Sequence, residues 1–268
     1  MTSFCFPFAA DQRGNKLERF LVRDYSEASD VLLLLCGPDE VASQIVAAAR
    51  GACQAKALSP TGKQNWTHAF YFSRGVPSSV SDLCNDLTTW LTIPARPDID
   101  ISLSLDWYKQ PCDDGGLADT RAGQLIAFTK YATYPQASGS RKARIELVNA
   151  LAEVISNHPV FADAELVSSP PGSKGDGTSF GEQLGRDVAK KAARKFVPMN
   201  GPAREPQKEL IARHVRDDFE LSEVVDRPIV LIDDVFHTGV TLESAARAAR
   251  RAGAPTVLAL TAARTLRR

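Results

Sequence analysis

The chain of 268 residues has little of what several protein classes require. Its five cysteines, at positions 5, 36, 53, 84 and 112, never form a C-x-x-C pair. They support neither a disulfide framework nor a cysteine zinc site, and read as reduced thiols in a cytosolic protein. Its four histidines, His68, His158, His214 and His237, stand without metal-ligand spacing. Neither charge sign is in excess, with 32 basic against 32 acidic residues, so no global field points to nucleic acid or a membrane surface. The longest apolar run, Val31 to Cys36, is far too short to span a bilayer. The amino terminus lacks the basic stretch and long apolar region of a secretory signal. These absences leave a soluble, cytoplasmic protein, long enough for one large domain or two modest ones.

What is present is concentrated in residues 229–242. An apolar run from Ile229 to Ile232 delivers two adjacent carboxylates, Asp233 and Asp234, and then a short loop, Phe236 to Val240, ahead of a helix. A buried strand places such carboxylates at its carboxyl end, where open α/β sheets bind ligands. The loop turns backbone N–H groups toward the helix amino terminus, which favours a phosphate. Gly239 allows close backbone approach, Thr238 and Thr241 add hydroxyl donors, and Thr241 can cap the helix. Together these residues suit a sugar diol and a phosphate at once.

Other motifs with similar residues fit less well. A phosphoacceptor receiver needs its acidic pair near the start of the domain, whereas only Val235 to Arg268 follow here. A P-loop enzyme needs G-x-x-x-x-G-K-[ST], and Gly62-Lys63-Gln64 lacks the first glycine and the hydroxyl. Gly175-Asp176-Gly177 and Gly181 imitate a dinucleotide fingerprint, but Phe180 occupies the place of the third glycine.

At residues 229–242 the chain resembles the type I phosphoribosyltransferases. The resemblance implies that Asp233 and Asp234 hold the ribose hydroxyls of 5-phosphoribosyl-1-pyrophosphate (PRPP), and that Phe236, His237, Thr238, Gly239, Val240 and Thr241 bind its 5′-phosphate. His237 departs from the pattern, standing where the family usually has threonine. The resemblance assigns the pyrophosphate to the loop Ser169, Pro170, Pro171, Gly172, Ser173 and Lys174. That loop offers backbone N–H groups, hydroxyls and an ammonium to a polyanion. It also implies a flexible loop in the basic stretch with Arg204, Lys208 and Arg213, closing to exclude water from an oxocarbenium-like transition state. Within the superfamily the chain is similar to the ComF-like group: Phe128-Thr129-Lys130-Tyr131 matches its Phe-Lys-Tyr segment, and Gln207-Lys208-Glu209-Leu210 with Arg213 and Phe219 its Gln-x-x-Leu stretch. The similarity covers roughly residues 125–268. The cysteine zinc ribbon and the arginine-rich pyrophosphate segment of that group are absent here.

The expected fold is therefore α/β, a parallel-sheet phosphoribosyltransferase core at 116–268 with an additional amino-terminal α/β region at 1–115, a hood or accessory domain. In the core, helices are expected to about Tyr131, over Arg141–Asn157 and from near Ser179, where Ser179 and Glu182 form a capping box. Leu125, Ile126, Phe128, Ile145, Val148, Leu151 and Ile155 form their apolar faces. Strands are expected at Ala164–Ser168 and Thr256–Thr261, with helices on both faces of the sheet. Upstream, Val31–Cys36 and Ala69–Ser73 read as strands, and Ile99–Leu105 as a half-exposed one. Trp66, Trp107 and Tyr108 are candidates to stack on a base. The implied partners are PRPP, carried with Mg²⁺, and a nitrogen acceptor, and a homo-oligomer is compatible with them. The rival reading is a non-catalytic sensor of PRPP or a nucleotide.

Overall fold

The computed structural model describes residues 16–24, 30–112, 115–130, 138–203 and 217–266. The chain forms two compact units. One comprises residues 1–94 with 158–160, the other residues 95–157 with 161–268. The division falls well before the break expected at 115/116. The reason is the strand Ile101–Trp107, which pairs in parallel with the last strand of the second unit.

The first unit holds β1 (Arg19–Asp24), β2 (Val31–Cys36), α1 (Asp39–Ala49), β3 (Cys53–Ala55), β4 (His68–Phe72), α2 (Ser78–Asp86) and the short β5 (Leu91–Thr92). Its antiparallel sheet runs β1-β2-β4-β3. Strand side chains alternate between faces, and here one face carries Leu33, Leu35, Phe70 and Phe72, all fully or nearly buried. Val41 and Ile45 of α1 with Val80 and Leu83 of α2 complete that core. His158 belongs to it too: it is wholly buried, bonds the Gln44 side chain at 3.1 Å and stacks near Trp90. Burial holds its pKa down to about 3.

The second unit continues with β6 (Ile101–Trp107), β7 (Lys109–Pro111), β8 (Leu117–Asp119), α3 (Arg121–Lys130), α4 (Ser138–Asn157), α5 (Pro159–Ala162), β9 (Leu166–Ser168), α6 (Phe180–Lys191), β10 (Lys195–Phe196), β11 (Met199–Asn200), β12 (Glu220–Leu221), β13 (Ile229–Phe236), α7 (Val240–Arg251) and β14 (Val257–Arg264). Its central strands run in the order β10-β9-β13-β14-β6, and all these neighbours are parallel. Parallel strands covered on both faces read as continuous apolar runs, as Ile229–Ile232 and Val257–Leu260 do, all fully buried. Helices α3, α4 and α6 pack on one another and on the sheet, while α7 packs against β13 and β14.

Three expectations need correction. The strand at 101–107 is not half-exposed: Ile101, Ser102, Leu103 and Ser104 are all buried. Its alternating serines mimic a solvent face, but a serine is small enough to bury, and Ser104 donates to the Asp106 carbonyl at 3.1 Å. Phe128 and Ile145, expected on apolar helix faces, are exposed at 57% and 52%. Their helical spacing is right, but the buried stripes of α3 and α4 run instead through Leu125 and Ile126 and through Leu147, Leu151 and Ile155. Among the described residues no helix is long and apolar enough to cross a membrane.

Candidate functional site

The acidic pair does not end its strand. β13 runs on to Phe236, whose partner on β14 is Arg264, so the following loop shrinks to His237, Thr238 and Gly239. Of the expected loop, Phe236 is thus the last strand residue and Val240 the first helical one. Gly239 is the amino-terminal cap residue of α7, with φ 81° in the left-handed region. A β-carbon there would lie 2.6 Å from the Phe236 ring, so conformation and space both require glycine. No side chain caps α7, and Thr241, expected as a possible cap, lies inside its first turn. His237 is exposed, with Nδ1 3.1 Å from the Thr265 hydroxyl, which draws its ring toward the chain leaving β14.

The two aspartates have different surroundings. Asp234 is 8% exposed and forms an ion pair with the Lys130 ammonium, presented by the end of α3. Asp233 receives the Asp234 N–H at 2.8 Å, and a β-carbon at Gly181 of α6 would stand 3.3 Å from its carboxylate. Its pKa is raised well above the usual aspartate range, first by burial and then by the negative charge of Asp234. The pair therefore holds one carboxylate neutralised by a lysine and one that favours its proton. The ring of Phe180 packs beside it, with Lys130 and Arg144 each 5.9 Å from the ring centroid.

Cations also stand beside the loop. The Arg96 guanidinium lies 5.7 Å from the Phe236 ring centroid, and a β-carbon on Gly239 would meet its Nε at 3.4 Å. Arg264 lies over the same ring at 5.2 Å and over Trp107 at 5.6 Å. Lys130 and Arg96 were absent from the sequence-derived site because they come from distant elements. Only the Phe-Lys-Tyr similarity drew attention to Lys130, and no sequence signal marks Arg96.

The serine loop is arranged otherwise. Ser169, Pro170 and Pro171 are buried, Gly172 and Ser173 half-buried, and Lys174 exposed. The Ser168 and Ser169 hydroxyls are buried without a hydrogen-bond partner among the described residues, and Ser169 Oγ occupies the space that a β-carbon on Gly185 would take, 1.9 Å away. The capping box forms: Ser179 Oγ accepts the Glu182 N–H, and the Glu182 carboxylate accepts the Ser179 N–H. The same carboxylate accepts the Gly172 N–H at 3.1 Å and the Ser179 hydroxyl at 2.6 Å. The Ser169 hydroxyl, expected to face a ligand, thus faces the helix, and one loop N–H is taken by Glu182. Arg204, Lys208 and Arg213 fall outside the described residues.

The site offers a divalent cation two neighbouring carboxylates, Asp233 and Asp234. Among the described residues no three His, Cys, Asp or Glu side chains cluster to hold one. The Lys130 ammonium already neutralises Asp234, so a metal there would compete with it.

No family model matches the chain, and no curated protein matches it. Solved structures of phosphoribosyltransferases are similar to it at low identity. The adenine phosphoribosyltransferase of Leishmania tarentolae is 18% identical with a TM-score of 0.37, the match covering 63% of this chain and 79% of that one. The orotate phosphoribosyltransferase of Aeropyrum pernix is 14% identical with a TM-score of 0.31, over 58% and 72% of the two chains. The hypoxanthine phosphoribosyltransferase of Staphylococcus aureus is 12% identical with a TM-score of 0.29, over 43% and 62%.

Proposed function

We propose that the protein binds Mg²⁺–PRPP at the carboxyl end of β13 and transfers its ribosyl 5-phosphate to a nitrogen acceptor. The observation that carries this reading is the succession of an aspartate pair, half-buried Asp233 and buried, lysine-paired Asp234, a three-residue loop with a left-handed glycine and a helix without a side-chain cap. The loop and the first turn of α7 supply donors for the 5′-phosphate, with Arg96 adding positive charge at Gly239. Asp233 and Asp234 accept hydrogen bonds from the ribose hydroxyls, Asp234 sharing its carboxylate with Lys130. The magnesium ion enters as part of the substrate, coordinated by pyrophosphate oxygens.

In the reaction the acceptor nitrogen forms a bond to C1′ as the C1′–O bond to pyrophosphate breaks. The electron pair leaves with pyrophosphate, and the acceptor nitrogen gives its proton to solvent or to the leaving group. Positive charge develops on the ring in between, and the Asp234 carboxylate fixed beside the ribose stabilises it. Anchoring both the diol and the 5′-phosphate leaves C1′ little freedom, which lowers the entropic part of the barrier.

A second reading, a PRPP or nucleotide sensor without turnover, is favoured by one observation. The Glu182 carboxylate occupies the loop that would have to receive pyrophosphate. Calorimetry with Mg²⁺–PRPP, together with pyrophosphate release in the presence of a panel of nucleobases, separates the two. Binding with release is expected of the transferase, and binding without release with every base establishes the sensor. Absence of PRPP binding overturns the transferase and the PRPP sensor, and absence of nucleotide binding as well overturns the second reading whole.

A further inference from the structure

The first unit carries chemistry that the β13 site does not use. Directly paired residues of antiparallel strands share a face, and the register pairs Arg23 with Leu32, Leu32 with Tyr71, and Leu34 with both Leu21 and Ala69. This face lies opposite the one bearing Leu33, Leu35, Phe70 and Phe72. The segment after β3 folds across it. The Lys56 N–H donates to the Ala69 carbonyl at 2.9 Å, and a turn at 59–66 is tied by Gly62 N–H to Ser59 Oγ at 3.0 Å and by Trp66 N–H to the Gly62 carbonyl at 2.9 Å.

Between sheet and segment lies a cavity of about 530 Å³, within the size range of small-ligand sites. Leu32, Leu34 and Leu58 give it apolar surface, and Trp66 gives it an aromatic wall. Arg19 holds that indole in place: its guanidinium sits 5.1 Å from the ring centroid and donates to the Asn65 carbonyl at 2.7 Å. Two cations, Arg23 and Lys56, line the cavity, and among the described residues no acidic one does. Arg23 has no ion pair among the described residues, and the Lys56 ammonium lies 5.1 Å from the Tyr71 ring centroid. In a chain whose charges balance, a cavity with two cations and no carboxylate selects for an anion. The indole and leucines select for a flat ring.

We propose that this cavity binds a planar aromatic molecule bearing a phosphate or carboxylate, the ring against Trp66 and the leucines, the anion between Arg23 and Lys56. The site is independent of the PRPP reading, since none of its residues belongs to the β13 site. Calorimetry and tryptophan fluorescence on the full chain test it with three probes: 1-naphthyl phosphate, 2-naphthoate and neutral 1-naphthol. One or both anions should bind more tightly than the naphthol, and the tighter of the two identifies the charged group. Arg23→Gln with Lys56→Gln, both at exposed side chains, should weaken that anion about tenfold or more while leaving the naphthol unchanged. Asp233→Asn with Asp234→Asn should leave the anion's affinity intact, and excess ribose 5-phosphate should not displace it. The proposal is overturned if neither anion binds at millimolar concentration, or if Arg23→Gln with Lys56→Gln changes nothing. Displacement by ribose 5-phosphate would equally overturn it, by placing the probe in the other site. Tighter binding of oligouridylate through the same two cations would replace the small molecule with single-stranded RNA and also sink it.

Discussion

Two strand–loop–helix units stand side by side in the same parallel sheet and finish in opposite ways. The unit β9–α6 has a long loop, residues 169–179, and the unit β13–α7 a loop of His237 to Gly239 alone. In the first, a single carboxylate, Glu182, satisfies the backbone N–H groups of Gly172 and Ser179, and the serine hydroxyls at 168 and 169 turn inward. In the second, no side chain caps the helix, and the local charge is that of two aspartates with Lys130 beside them and Arg96 beside the loop. A helix terminus satisfied by its own sequence serves the fold. One left to backbone donors beside charged side chains is arranged for something else to complete it. On the proposed reading ligand chemistry belongs at β13, and the serine loop is first a structural element.

The largest effect that could break this contrast is loss of the acidic pair. Asp233→Asn with Asp234→Asn should weaken PRPP binding by roughly a hundredfold or more, because the charge-assisted acceptor Asp234 and the Asp233 carboxyl group beside it are both lost to the ribose hydroxyls. Isothermal titration of a variant with native circular dichroism reads this directly, and unchanged affinity would remove PRPP from β13. Gly239→Val should come next. The left-handed backbone costs a branched residue about 1–2 kcal/mol, and the added side chain displaces Phe236. Affinity for ribose 5-phosphate should fall about tenfold or more if the loop holds the phosphate by close backbone approach. Retained affinity would show that the glycine serves folding alone.

A pH profile sharpens the same comparison. The folded-state pKa of Asp233 is raised, so the unfolded chain releases this proton at a lower pH than the native protein. The contribution of Asp233 to stability is therefore full below the ordinary aspartate pKa and is lost as pH rises through the folded value. Asp233→Asn alone should stabilise the ligand-free protein at neutral pH and flatten that part of its melting-temperature profile. If the single variant melts lower at pH 7 than at pH 5 to the same degree as the wild type, the proton is held elsewhere.

Much of this was legible in residue order, and the rest was hidden for identifiable reasons. Val31–Cys36 reads as a strand and is one, because an unbroken apolar run of six residues ending at Gly37 has few other uses. The strand Ile229–Phe236 and the box at Ser179 and Glu182 are local patterns with local causes. By contrast, β6 reads as amphipathic because burial of Ser102 and Ser104 depends on the small volume they fill between neighbouring strands and helices, which alternation cannot report. Lys130 and Arg96 meet the site through tertiary folding, at sequence distances no motif spans. The serine loop offered composition suited to an anion, whereas the Ser169 hydroxyl is directed into the space left by the missing side chain of Gly185 on α6.

The smallest predicted effect bears on the serine loop itself. Glu182→Gln keeps the size of the side chain and an oxygen acceptor but removes its charge, so the capping box weakens and the protein should lose about 1 kcal/mol of stability. If the loop is purely structural, that is the whole outcome, and inorganic pyrophosphate should bind the variant and the wild type alike. If the loop also receives pyrophosphate, the buried negative charge of Glu182 opposes it in the wild type, and the variant should bind pyrophosphate several-fold more tightly despite its lower stability. Thermal melts and pyrophosphate titrations on the same two proteins separate these outcomes, because the structural role lowers one reading and the binding role raises the other.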